Sequence, residues 1–142
     1  MDDARTRRRL TRADFEHLLA FRISLRRFQR WSEDQARAAG LTQAQHQLLV
    51  AVKGHPGTRP PTVTDLADYL LLRHHSTVEL VDRAELAGLV RRTPDSGDAR
   101  LVRVRLTDKG LRILKELTPA HIIELHSLAA ILDELVADVP CR

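Results

Sequence analysis

At Gly88 the chain changes its hydrophobic period, and few folds accommodate the change. Before it, Thr77, Leu80, Val81, Ala84 and Ala87 recur at helical spacing. Beyond it, Val102, Val104 and Leu106 alternate, as in a strand with one face buried. A helix followed closely by a β-hairpin accounts for both patterns. The first strand is predicted at 89–92 and the second at 101–106, joined by Thr93-Pro94-Asp95-Ser96-Gly97-Asp98-Ala99-Arg100, a segment rich in turn formers. In the second strand the apolar residues share one face and Arg103 and Arg105 take the other. The pleat therefore sets an apolar inside against a cationic outside, and such a ribbon can lie along phosphates.

Upstream, Thr62-Val63-Thr64-Asp65 supplies capping hydroxyls ahead of Leu66, Ala67, Leu70 and Leu71, whose spacing predicts a short helix with one apolar stripe. A polar corner, Leu72-Arg73-His74-His75-Ser76, then leads to the helix predicted over 77–87. On a helical wheel His75, Glu79, Asp82 and Leu86 fall opposite the core stripe, with Ser76 and Arg83 on a flank. Two short helices and a basic hairpin, in that order, make a winged helix-turn-helix, whose second helix suits the major groove of B-DNA. The candidate DNA contacts are Thr62, Thr64, Arg73, His74, His75, Ser76, Thr77 and Arg83, with Arg100 and Arg103 on the wing.

The flanks read as helices. One spans about 11–39, with Phe15, Leu18, Leu25 and Phe28 at helical spacing, and stops at Gly40. The next starts at Thr42 and runs to about Lys53, before a loop marked by Gly54, Pro56, Gly57, Pro60 and Pro61. Thr107 caps a last helix, over about 107–138, in which Thr118-Pro119 is either a fresh start or a kink. Ile113, Ile123 and Ile131 lie off its main stripe, an apolar surface wider than one helix needs on its own domain. A second subunit is the simplest cover, and an extended core within one subunit is the alternative. The fold class expected is therefore mainly α with a small β-hairpin wing (α+β). The layout is a single domain over 1–142: dimerisation helices at 11–39 and 107–138 around a DNA-binding module at 41–106, with its wing at 89–106.

The run V-D-R-A-E-L-A-G-L-V-R-R, then D-A-R, then V-R-V-R-L-T-D-K-G resembles the MarR family of bacterial winged-helix regulators, over roughly residues 41–117. The resemblance implies a homodimer on an inverted-repeat operator, usually a repressor, released by a small phenolic or other lipophilic ligand. It matches Asp82 and Arg83 to the acidic and basic pair of the recognition helix, and Asp98 and Arg100 to the wing-tip pair. It also implies that Arg100 enters the minor groove. Asp82 or Asp98 is expected to pair with Arg100 and fix the angle of the wing. Three departures stand out: Ala84 in place of a larger aliphatic residue, Ala99 in place of a basic one, and no separately capped final helix after Leu132. A ligand, a small aromatic or lipophilic effector, is implied by resemblance alone. For it His17, Phe21, Arg22, Phe28 and Trp31 are candidates, since aromatic faces plus a cation suit an aromatic acid. Core or interface packing is the other fate open to them.

Charge and motif content narrow the remaining options. The net charge is only +4, but residues 1–30 hold nine Arg against four acids and residues 73–105 seven Arg against five, whereas 107–142 hold four bases and six acids. Basic groups thus gather at the N-terminal arm and the reading module. No apolar run approaches the ~20 residues that span a bilayer, and the start lacks the layout of a secretion signal, so the expected location is cytoplasmic with no membrane partner. One cysteine, Cys141, excludes an internal disulfide and a multi-thiolate metal site. There is no phosphate-cradling glycine loop, no Gly-x-Ser-x-Gly elbow and no His-Glu-x-x-His, and His74-His75 diverge on a helix, so neither enzyme chemistry, metal nor cofactor is expected. The expected partners are double-stranded DNA and a second copy of the chain. A winged helix used only for protein contact is the alternative, and the arginines of helix and wing argue against it.

Overall fold

The computed structural model describes residues 9–137 and 139; Cys141 and the first eight residues lie outside them. The elements run α1 (Arg12–Ala38), α2 (Gln43–Gly54), α3 (Val63–Leu70), α4 (His74–Leu86), β1 (Val90–Pro94), β2 (Val102–Leu106) and α5 (Asp108–Ala137). The strands pair antiparallel, with Val90 opposite Leu106 and Arg92 opposite Val104. This is the winged helix-turn-helix expected, mainly helical with one small hairpin.

Local chemistry explains the boundaries. Thr42 and Thr62 each close a capping box, with Gln45 and Asp65 returning the bond to the cap backbone. At the end of α1, Leu41 N–H reaches Ala36 O at 2.9 Å and Gly40 N–H reaches Arg37 O at 3.0 Å, a Schellman closure. The same closure ends α4, where Gly88 takes φ 74°. It also ends α3, but there the left-handed residue is Leu71, at φ 53°. The sequence pattern placed Leu71 in the buried stripe of α3; instead it is 91% exposed, because the left-handed turn swings it off the helix. The start of α4 also differs from expectation: it begins at His74, with Arg73 as a cap that makes no side-chain bond, so His74, His75 and Ser76 form the first turn. Without a capping side chain, nothing local marked that start. Finally, α5 is continuous through Pro119, where Thr118 Oγ1 donates to Leu114 O at 2.6 Å.

The chain divides into two compact units. The larger spans Ser32–His121 and holds the module. Its core joins Leu48, Leu49, Leu66, Val81, Ala84, Leu89, Val90 and Val104, all at most 2% exposed, with Ile113, Leu114 and Leu117 of α5. Burying each such aliphatic side chain stabilises the fold by about 1.5–3 kcal/mol. Thr107 caps α5 and at the same time donates to Gly88 O at 2.5 Å, so the end of α4 and the start of α5 share a hub. Gly110 is required there: a Cβ would lie 2.1 Å from Leu89 O. The smaller unit comprises the residues up to Trp31 and from Ile122 onward, and none of its described residues is buried.

Candidate nucleic-acid interface

The outward surface of α4 is polar, with its acids and its single arginine interspersed. His74, His75, Glu79, Asp82 and Arg83 are exposed and Ser76 is half-buried. Thr77, expected among the contacts, has no exposed surface, and its hydroxyl donates to Arg73 O at 3.0 Å. It belongs to the core stripe, so the reading surface is carried by its neighbours. Thr64 and Arg73 are exposed as expected. Thr62 is half-buried with its hydroxyl committed to the N–H of Asp65 at 3.2 Å, which makes it a cap first.

The wing is fixed to the rest of the module by two arginine latches. Register places Arg92 on the inner face of the hairpin, opposite Val104. From there Arg92 Nη2 reaches Asp82 Oδ1 at 2.5 Å, Nη1 reaches Glu85 Oε1 at 3.1 Å, and its backbone N–H donates to Glu85 Oε2 at 2.9 Å. Of the two acids offered as partners of Arg100, Asp82 instead pairs with Arg92, so it joins α4 to the base of the wing rather than to its tip. Charged groups that are partly desolvated and doubly hydrogen-bonded hold geometry better than exposed pairs.

The second latch is Arg103, expected to face DNA. It donates from Nε to Asp95 Oδ1 and from Nη1 to Pro60 O, both at 2.6 Å, and its side chain is only 15% exposed. The alternation was read correctly, but the expected exposure fails at this end of the strand: Val102, expected inside, is exposed, and the segment before α3 covers Arg103, with Val104 N–H bonding Pro61 O at 2.9 Å and Thr62 forming a bridge with Arg103. Asp95 also accepts from the N–H groups of Gly97 and Asp98, at 3.0 and 2.9 Å. The Arg103 hydrogen bond, helped by these amides, pulls the Asp95 carboxyl down to about 2.

At the tip, Asp98 accepts from Arg100 Nε at 3.2 Å and from its backbone N–H at 3.0 Å, which lowers the Asp98 pKa. The Arg100 side chain is 91% exposed. A pair this open is worth little to stability, so Asp98 aims Arg100 without withdrawing it from solvent. Sequence reasoning missed two positioning residues, Arg92 and Glu85, because strand register assigns them; for Asp95 a turn-forming or arginine-pairing role was expected, and its partner is Arg103. Arg91 and Arg105, counted among the arginines of helix and wing but not among the candidate contacts, stand directly opposite each other, exposed and without an ion pair among the described residues.

The effector candidates all lie in the smaller unit. His17, Phe28 and Trp31 are half-buried, and the Phe28 and Trp31 rings sit 6.1 Å apart. At 100° per residue, His17, Phe21, Phe28 and Trp31 share one stripe of α1, while Arg22 stands about 100° from Phe21. The structure thus groups the aromatic residues and sets the cation apart.

Residues 39–101 match the model of the MarR family. This segment is similar to the MarR-family module. The chain is 29% identical over 80 residues to the transcriptional regulator MhqR of Bacillus subtilis, covering 56% of this chain and 54% of that protein. It spans about half the length of the curated relatives it matches. Among solved structures, the MarR-family regulator AbsC of Streptomyces coelicolor superposes with a TM-score of 0.73 at 23% identity, covering 89% of this chain and 91% of that one. MepR of S. aureus, solved as a DNA complex, gives 0.66 at 20% identity, covering 85% and 84%. At these identities the structural likeness establishes the fold alone.

Proposed function

We propose that the protein is a sequence-specific DNA-binding transcriptional regulator, a homodimeric repressor that occupies an inverted-repeat operator and is released by a small aromatic or lipophilic effector. One observation carries the reading. The exposed first turn of α4 and the exposed Arg100 belong to elements that Arg92, Asp82 and Glu85 clamp together, so a groove-sized helix and a cationic tip are presented as one rigid tool. MepR, with the same fold, is solved bound to DNA, which supports this use of the tool.

The dimer is supported by the smaller unit, which leaves Phe15, Leu18, Leu19, Ile123, Leu125 and Val136 more than half exposed. An apolar surface of that extent calls for a partner, and a symmetric second copy would set two α4 helices about 34 Å apart, one turn of DNA. His17, Phe21, Arg22, Phe28 and Trp31 are the residues proposed to meet the effector. Sedimentation of the protein with duplex fragments from its own genomic neighbourhood tests the reading. Two protomers per inverted-repeat duplex is the expected result; a single protomer in solution and on DNA would contradict it.

A further inference from the structure

Helix α4 carries three acids, Glu79, Asp82 and Glu85, although an element set against a polyanion gains nothing from negative charge as such. Two of the three are committed to the wing. Asp82 takes Arg92 Nη2 at 2.5 Å, and Glu85 takes both Arg92 Nη1 and the Arg92 backbone N–H. Glu79 has no such partner. It is exposed and makes no hydrogen bond or ion pair among the described residues, not even with Arg83 four positions on. Its direction is set by the core: Thr77, Leu80, Val81 and Ala84 are at most 9% exposed, so α4 cannot roll about its axis. Glu79 lies on the opposite side, within about 40° of His75 and one turn further into the helix.

We propose that Glu79 selects a cytosine in each operator half-site, an assignment that rests on the DNA-binding reading above. An ionised carboxylate only accepts hydrogen bonds. In the major groove the base edges offer it two kinds of donor, the N4 amino group of cytosine and the N6 amino group of adenine. The neighbours of those groups decide between them. Adenine N6 is flanked by two acceptors, its own N7 and the O4 of thymine, and both repel a carboxylate. Cytosine N4 has one acceptor beside it, guanine O6, and a C–H on its other side, which makes it the better partner. Phosphates repel Glu79 at every sequence, so the carboxylate disfavours any site where no amino group meets it. The same charge thus excludes wrong sites as well as stabilising the right one.

The experiment is selection from duplexes with randomised positions, run in parallel with the full chain and its Glu79→Gln and Glu79→Ala variants, followed by affinity measurements on the selected sites. The native chain is expected to prefer C·G at one position of each half-site by about tenfold. Glu79→Ala should erase that preference and leave the others intact. Glu79→Gln should move it to A·T, since a glutamine pairs with adenine N6 and N7. Glu79 is exposed, so both variants should keep the native melting temperature. Identical preferences in all three proteins would overturn the assignment alone. So would variants that bind every duplex more tightly by one common factor, which would make Glu79 a general repulsive charge. Failure of the native chain to select any duplex would overturn the DNA-binding reading and this assignment with it.

Discussion

Leu71 holds a backbone conformation that glycine holds at Gly40 and Gly88. A left-handed leucine costs about 1–2 kcal/mol, and its side chain recovers none of that by burial, being 91% exposed. Leu71→Gly is therefore expected to raise stability by about 0.5 kcal/mol after the extra chain entropy of glycine is counted, read as a higher melting temperature. Acid acts on two other side chains. Burial, with the His121 charge adding to it, lowers the pKa of His46 below 6.5, and the Arg103 bond lowers that of Asp95 from 3.8 to about 2. In both cases the unfolded chain binds the proton more readily, so stability falls as pH falls. The His46 contribution is present above 6.5 and is lost as pH drops through the lowered value; the Asp95 contribution is lost between its ordinary 3.8 and about 2. Melting temperatures across pH should show two separate declines. His46→Leu should flatten the first and Asp95→Asn the second; unchanged slopes in both variants would contradict the assignment.

The connection between α4 and the hairpin depends on Arg92. Removing its side chain leaves Asp82 and Glu85 without their partner and frees the base of the wing. Arg92→Ala is expected to cost about 1–3 kcal/mol of stability and to weaken DNA binding, although Arg92 itself is only 25% exposed and faces inward. Arg91→Ala, on the outer face, should cost no stability. This contrast shows what was legible in the chain. Caps and stops were, because Thr42, Thr62, Gly40 and Gly88 act on backbone groups within a few residues of themselves. The alternation of β2 was too, since it reports the pleat directly, although which residues stay exposed was not. The start of α4 and the left-handed turn at Leu71 were not, because neither carries its usual residue. The roles of Arg92 and Arg103 were hidden for another reason: an arginine reads as a free cation until register and a neighbouring loop supply its acid. Asp95 lies eight residues from Arg103, and Pro60 lies 43 away.

The chain divides its labour between a unit with a dense core and one with no buried side chain among its described residues. The first can hold a rigid reading surface by itself, and the second is the part proposed to meet a second copy. On this account DNA affinity requires the assembled pair, with each copy supplying one α4 and one Arg100. The most direct test is the salt dependence of binding to an operator duplex, measured for the native protein and for Arg100→Ala. Each phosphate neutralised contributes about 0.9 to the slope of log affinity against log salt, and a dimer that loses both wing-tip arginines should lose roughly 1–2 units of slope. A steep native slope that falls in the variant is the result expected. Binding that is absent at low salt, or a slope that Arg100→Ala leaves unchanged, would contradict the claim that α4 and the wing grip DNA as one clamped tool.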